Sequence, residues 1–182
     1  MNAAHQFNIG CGWRDFGKDW IHIDGGDYPH LDSKDIFNLP YEDNSIDLIY
    51  ASHVIEYFDR EEIVGILNKW KSKLKQGGIL RLAVPNFQEI ARLYCAQGFG
   101  LDNFLGPLYG KMKMGDKIIY HKTTYDFTEL KSILNKCGFS NIDYYNWRDT
   151  EHSKFDDHSQ AYIPHMSKEK GTLISLNVEA VK

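Results

Sequence analysis

The stretch Phe7-Asn8-Ile9-Gly10-Cys11-Gly12 runs from an apolar segment onto two glycines one residue apart, and Ile21-His22-Ile23-Asp24 brings an acid twelve residues after the second glycine. Glycines after a strand permit positive φ and let a ligand approach bare backbone. An acid ending the next strand can bind both hydroxyls of a ribose. The stretch therefore reads as the opening of a nucleotide-cofactor pocket, and a plain strand-to-helix turn is the competing use of the same residues. The rest of the chain has to separate the two.

Outward from this stretch, short apolar runs alternate with amphipathic ones. Residues 6–9, 20–24, 34–37, 46–51 and 79–84 each read as a strand. Between the last two, Ile63, Ile66, Leu67, Trp70 and Leu74 recur at three- and four-residue steps, predicting a helix over 61–74 that ends at Gln76-Gly77-Gly78 in a glycine C-cap. Strand, helix, glycine turn and strand form a right-handed crossover between parallel strands. Asn86 is placed to cap a helix whose apolar face is Phe87, Ile90, Ala91, Leu93 and Tyr94. Residues 97–125 are glycine-rich and read as an insertion or lid rather than a regular element. A helix follows over 127–137, then two closing strands, 141–145 and 173–181, joined by a polar loop around 146–170. The expectation is one α/β domain over 1–182: a Rossmann-like, mostly parallel sheet with a closing antiparallel hairpin edge and helices on both faces.

Composition narrows the function classes. With 182 residues, 42% hydrophobic and 25% charged, the chain suits one compact core. The formal charge of -4 provides no basic field for phosphate backbones, so no nucleic-acid partner is expected. Lys69, Lys71, Lys73 and Lys75 read as a solvated helix end. Three cysteines without Cys-x-x-Cys spacing suggest neither a disulfide framework nor a zinc ribbon. No apolar run approaches the ~18 residues needed to cross a bilayer, and a cytoplasmic setting without membrane insertion is the expectation. Oligomeric state is not legible. His152, His158 and His165 are too loosely spaced for a metal site, and Gly-x-Ser-x-Gly, Walker and His-Glu-x-x-His patterns are absent.

Four features fall together at the carboxyl ends of the expected strands, where open α/β sheets bind ligands. They are Gly10 and Gly12, then Asp24, then Asp35-Ile36-Phe37 followed by Leu39-Pro40, and finally Ala51-Ser52-His53. In this order, continued by Val54-Ile55-Glu56-Tyr57 and Leu74-Lys75-Gln76-Gly77-Gly78, the first 95 residues or so resemble a class I S-adenosylmethionine-dependent methyltransferase of the small methyltransferase-domain, type 11-like family. The resemblance implies S-adenosylmethionine as cofactor and S-adenosylhomocysteine as product. It implies that Asn8, Ile9, Gly10, Cys11 and Gly12 pass under the methionine part and that Asp24 holds the ribose. Asp35, Ile36 and Phe37 would flank the adenine, and Ala51, Ser52 and His53 would line the side nearest the methyl group. Two departures stand out: Trp13 follows the glycines, with little more than two helical turns of chain before the acid, and Tyr57 stands where relatives commonly carry His.

Methyl transfer from a sulfonium is an in-line displacement governed by positioning, and a base is needed only for a poorly acidic nucleophile. His53 is the first catalytic candidate and His121 the second, since histidine can take a hydroxyl proton near neutral pH. Tyr57, His121, Tyr125, Arg148 and His158 are the substrate-binding candidates, and no metal ligand is expected. The lack of an Asn- or Asp-Pro-Pro-aromatic segment after the fourth strand, where Ala51-Ser52-His53-Val54 stands, disfavours amino-group substrates. The expected acceptor is an oxygen of a small metabolite or saccharide-type molecule. Two other classes stay open: a non-catalytic binding or regulatory module on the same fold, and an NAD(P)-dependent oxidoreductase. The oxidoreductase is disfavoured because its ribose acid lies ~20 residues after the glycines.

Overall fold

The computed structural model describes residues 5–165 and 167–182. In chain order the elements are β1 (Gln6–Ile9), β2 (Trp20–Ile23), β3 (Ile46–Ser52), α1 (Ile63–Lys73), β4 (Leu74–Pro85), α2 (Phe87–Gln97), α3 (Asp102–Tyr109), β5 (Met112–Met114), β6 (Lys117–Ile119), α4 (Phe127–Lys136), β7 (Ser140–Tyr144), β8 (Tyr162–Ile163), β9 (Thr172–Leu173) and β10 (Ser175–Val181). Six strands form one sheet in the order β2-β1-β3-β4-β10-β7. The first four are mutually parallel, and β10 runs antiparallel to both of its neighbours. The mostly parallel sheet with an antiparallel edge is thus as the alternation of apolar segments predicts. Because Ile9 lies opposite both Ile23 and Ala51, the residues just beyond β1, β2 and β3 share one rim. Ser175, at the start of the reversed β10, pairs with Pro85 and reaches the same rim.

Side-chain alternation along each strand divides the sheet into two unlike faces. On the first, Phe7, Ile9, Ile23, Ile49, Leu80, Leu82, Val84, Leu176 and Val178 pack with Leu67 and Trp70 of α1 and Leu130 and Leu134 of α4 in one apolar core. The intervening residues include Asn8, His22, Tyr50, Arg81, Ser175 and Asn177, all buried. On this second face Phe16, Trp20, Leu48 and Tyr50 cluster with Ile79 and Phe155. The expected helical layer is present on the first face. On the second its place is taken by loops and single 3₁₀ turns at Trp147–Asp149 and His158–Gln160.

Three local differences from the sequence reading have clear causes. Residues 34–37 form no strand: Asp35 accepts the backbone N–H groups of Phe37 and Asn38 at 2.9 and 2.8 Å and coils the segment on itself. The segment is held by Trp70, whose indole N–H donates to the Ile36 carbonyl at 2.9 Å. Between β1 and β2 there is no helix, because Gly17 takes φ +92 and the Phe16 N–H is captured by His22 Nε2 at 2.8 Å. The α1 helix stops before the glycines, at Leu74, which is extended and fully buried where it pairs with Ile46. The glycines serve the strand entry instead, since a Cβ on Gly78 would lie 2.9 Å from the Lys75 carbonyl oxygen.

The insertion is more regular than expected. It contains α3, with Pro107 inside it, and the β5–β6 hairpin. Phe104 anchors α3 in a small second cluster with Ile90, Leu93, Ile163 and Ile174.

Candidate cofactor and acceptor site

The glycine turn after β1 has the required backbone. Gly10 and Gly12 take φ +71 and +58. A side chain on Gly10 would collide with the Val54 side chain, while one on Gly12 would meet nothing within 4 Å, leaving its backbone open on one side. Asp24, buried at the end of β2, accepts the Gly12 N–H on Oδ2 at 2.8 Å and the Gly26 N–H on Oδ1 at 2.7 Å. Each oxygen retains a lone pair for a hydroxyl donor. Ser52 Oγ is buried beside this turn and has no hydrogen-bond partner among the described residues. An open glycine backbone, a buried carboxylate with spare lone pairs and an unpaired hydroxyl fit a ribose and its attached aliphatic chain.

Other expected cofactor contacts are distributed differently. Ile9 and Ala51 are core residues of the first face, so they contribute backbone only. Asn8 alternates with Phe7 and Ile9 and lies under the rim on the second face. The Cys11 thiol is buried, 3.7 Å from His30 Nε2, and burial with the Asp24 charge pushes its pKa up to about 12, which leaves it inert. Asp35 is exposed, its carboxylate engaged in its own turn; Phe37 is exposed and sits 5.3 Å from the Phe58 ring. The adenine flank is therefore the least prebuilt part.

Beyond β3 lies a cluster of titratable groups. The His53 backbone takes φ +53, and its N–H donates to the Ala83 carbonyl at 2.8 Å. Its Nδ1 is 3.5 Å from Glu56 Oε1, and His121 Nε2 approaches the same oxygen at 3.8 Å. Glu56 is fully buried in the turn Ile55–Tyr57, and burial raises its carboxyl to about 8. Burial and the neighbouring His158, His121 and Arg14 lower His53 well below the usual histidine value. His53 Nε2 faces Ser175 Oγ at 3.5 Å, and the His158 ring lies 5.0 Å away. Arg14, just past the glycine turn, donates to the Asp156 carbonyl and so ties that turn to the loop carrying His158.

Residues 97–125 pack against this rim. Lys122 and Thr123 donate their N–H groups to the Glu56 carbonyl, and His121 Nδ1 lies 3.1 Å from the Pro107 carbonyl. Gly110 leaves room for His121 and Tyr57, whose rings meet edge to face at 4.6 Å. At the other end Met114 packs so closely on Gly25 that a Cβ there would lie 2.9 Å from its sulfur. This segment thus reaches from Glu56 to the neighbour of Asp24.

Of the expected substrate residues, Tyr57, His121 and His158 gather around His53. Tyr125 does not: it is buried in the first-face core and its hydroxyl donates to the Ile55 carbonyl at 3.4 Å. Arg148 is committed to its own loop, stacking on Trp147 and donating to Tyr162 Oη and the Lys168 carbonyl. Glu56 and Ser175 are the residues that sequence reasoning missed. A glutamate inside Val54-Ile55-Glu56-Tyr57-Phe58, flanked by apolar and aromatic neighbours, was the available signal for the first; nothing local marks the second. Among the described residues no group of three or more metal-ligating side chains converges.

Residues 19–82 match the family model described as "Methyltransferase domain". The demethylmenaquinone methyltransferase of Staphylococcus haemolyticus is 27% identical over 125 residues, covering 62% of this chain and 48% of that protein. The chain spans about half the length of such curated relatives. A methyltransferase structure from Methanosarcina mazei superposes with a TM-score of 0.61 at 17% identity, over 100% of this chain and 94% of that one. The 1,6-didemethyltoxoflavin N1-methyltransferase of Burkholderia thailandensis, solved with S-adenosylhomocysteine, gives 0.58 at 13% identity over 98% and 71%. The fold is that of the class I S-adenosylmethionine-dependent methyltransferases, as the motif order implied. The matched segment runs from β2 through most of β4.

Proposed function

We propose that the chain binds S-adenosylmethionine at the β1–β2–β3 rim and catalyses methyl transfer to a hydroxylated small molecule. The observation carrying this reading is the pairing of Gly12 with Asp24 across the rim, together with His53 standing at the end of β3. When bound, the sulfonium provides an activated methyl group. The chain's residues do the positioning: Gly10 and Gly12 provide bare backbone, Asp24 takes the ribose hydroxyls, Ser52 Oγ gains a partner, and Phe37 and Ile36 cover the adenine. The lid, pinned at Glu56 and Gly25, excludes water. His53 Nε2 accepts the acceptor's hydroxyl proton, and Tyr57, His121 and His158 shape the space around it.

A hydroxylated acceptor is consistent with two outcomes. Loss of the hydroxyl proton yields an alkoxide or phenoxide; methylation falls on that oxygen or, if the acceptor is an aromatic diol, on the conjugated ring carbon, which then loses its own proton to restore the ring. The expected oxygen of a small or saccharide-type acceptor is the first case. The name of a Cronobacter sakazakii relative, 29% identical over 116 residues, a ubiquinone/menaquinone biosynthesis C-methyltransferase, favours the second.

Calorimetric titration is the test. S-adenosylhomocysteine should bind and raise the melting temperature, whereas NAD(P) should not. Asp24→Asn should weaken the product's affinity about tenfold or more, the equivalent of one charge-assisted hydrogen bond of about 1.5–3 kcal/mol. Unchanged affinity, or stabilisation by NAD(P) instead, would overturn the assignment, and binding without turnover of phenol, saccharide or hydroquinone acceptors would favour the regulatory module.

A further inference from the structure

The hydrogen bonds around His53 and His121 have directions that can be traced from their outer ends. Asn177 Nδ2 donates to the Ser159 carbonyl at 2.9 Å, so Asn177 Oδ1 is an acceptor and takes the Ser175 hydroxyl proton at 2.8 Å. Ser175 Oγ consequently presents a lone pair to His53 Nε2, and that nitrogen carries the proton. In neutral His53 the lone pair is then on Nδ1, directed at Glu56 Oε1. His121 reaches the same oxygen by a separate route. Its Nδ1 faces the Pro107 carbonyl, which can only accept, so the lone pair of a neutral ring is on Nε2. Two imidazole lone pairs thus face one carboxyl oxygen that accepts no hydrogen bond among the described residues and has no access to water. That arrangement is satisfied when the oxygen bears a proton.

We propose that Glu56 is a positioning residue whose proton on Oε1 sets the tautomer of His53. With the proton present, Glu56 directs it at the nearer lone pair, His53 Nδ1 at 3.5 Å, and His53 is held as the Nε2–H form, unable to accept. When Glu56 ionises, its carboxylate draws an N–H to His53 Nδ1 and leaves Nε2 with its lone pair at the rim. The balance is one proton: the carboxyl proton leaves to solvent, while the imidazole exchanges the site of its own proton and stays neutral. The elevated carboxyl pKa agrees with this geometry. The other titratable groups facing the cluster are Tyr57 and Tyr125, both pushed up by burial and so neutral, and Arg14 and His158 beyond His53. Neither tyrosine can supply the missing charge near neutral pH, and Arg14 is engaged with Asp156.

The consequence for turnover rests on the methyl-transfer reading; the tautomer itself does not. The test therefore uses the cofactor-free protein with ¹⁵N-labelled histidine, following ring nitrogen shifts between pH 6 and 9.5. The expected result is that His53 Nε2 changes from protonated to unprotonated character with a midpoint near 8, with His121 responding at the same midpoint. In Glu56→Gln the amide N–H replaces the carboxyl proton at every pH, and the transition should vanish while His53 stays in the Nε2–H form. If that variant does not fold, Ser175→Ala removes the acceptor that holds Nε2–H and should move the midpoint to lower pH. An Nδ1–H tautomer of His53 at neutral pH, an alkaline transition that survives Glu56→Gln, or an unmoved midpoint in Ser175→Ala would each overturn the proposal. Absence of S-adenosylhomocysteine binding would instead strike the methyl-transfer reading alone.

Discussion

On the first face of the sheet, Phe7, Ile9, Ile49, Leu80 and Leu176 meet α1 and α4 through carbon atoms almost alone. On the second, the residues between them on the same strands are Asn8, Tyr50, Arg81, Ser175 and Asn177, covered by a segment joined to them through polar contacts. Tyr50 Oη donates to Asp157 at 2.6 Å, Asn177 donates to the Ser159 carbonyl, and Arg81 reaches Glu151 at 3.0 Å and Glu179 at 2.6 Å. Apolar burial is non-directional, so the first face can stabilise the domain without fixing any particular atom at the rim. Hydrogen bonds have direction. The second face therefore determines where the loop bearing Asp156 and His158 lies, and through Ser175 it reaches His53. One face carries most of the stability and the other carries the site's geometry.

The largest expected effect tests the first half of that division. Leu134 of α4 is fully buried in the aliphatic face, and Leu134→Ala should cost about 2.7–5 kcal/mol in urea unfolding, from lost burial and the cavity left behind. Under conditions where the variant is folded, its affinity for S-adenosylhomocysteine should be within a factor of about three of the parent, since less than ~0.7 kcal/mol separates such affinities. A selective loss of binding at retained stability would reverse the roles assigned to the two faces.

This difference also explains what the sequence discloses and what it hides. β1, β3, β4, α1 and α4 are legible because their first-face residues are aliphatic at strand or helix spacing, and the signal depends only on hydrophobicity. Second-face residues such as Asn8, Arg81 and Asn177 look like surface positions in a half-exposed strand, and their partners lie as far away as Ser159 and Glu151. Residues 34–37 looked like a strand until Asp35 turned its carboxylate onto the backbone ahead of it. The glycine turn, Asp24 and His53 could be read because their order along the chain matches their order around the rim. Glu56 escaped notice because its meaning comes from His121, brought over it by a lid whose α3 is concealed by Gly106-Pro107. Tyr125 misled for the converse reason: a tyrosine next to a polar run turned out to be core.

Tyr50→Phe removes one hydroxyl from the second face and strands a buried carboxylate oxygen of Asp157. The expected loss is about 1.5–3 kcal/mol, the range for hydrogen bonds to charged groups. In contrast to Leu134→Ala, it should loosen residues 156–159 specifically, visible as faster amide exchange at Ser159, whose N–H is held by Asp157 at 2.8 Å. Equal protection in variant and parent would mean that the loop is positioned by packing alone.

The pH dependence of stability separates the faces without mutation. His152 is fully buried on the second face, its ring 4.1 Å from Tyr50, and burial lowers its pKa from 6.5 to about 4. The unfolded chain binds a proton below about pH 6.5 that the folded protein refuses until near pH 4. The sign follows: this contribution to stability is complete above pH 6.5 and is lost as pH falls from there towards 4, by about 2 kcal/mol at pH 5. His152→Leu should remove that part of the acid slope, as read from urea midpoints at pH 7 and 5. A slope unchanged by the substitution would place the acid sensitivity elsewhere, with His53, held well below the usual histidine value by burial, the next candidate.

The smallest effect is expected at Arg81, although its guanidinium pairs with two carboxylates. Its side chain is 10% exposed, but those of Glu151 and Glu179 are 40% and 30% exposed. Removing the guanidinium leaves two carboxylates that can turn to water rather than one stranded charge, so the usual penalty for breaking a buried pair does not apply in full. The guanidinium also lies over the Tyr145 ring, 5.4 Å from its centroid, and a methionine would keep apolar cover on that side. Arg81→Met should therefore cost about 1 kcal/mol or less, below Tyr50→Phe. The order matters more than either value. Tyr50 anchors a buried acid in the middle of the loop, whereas Arg81 touches the covering segment only where water already reaches, so the second face should weaken from its centre outward. If Arg81→Met costs more than Tyr50→Phe, the ion pairs at the edge, and not the Tyr50–Asp157 bond, hold the loop against the sheet.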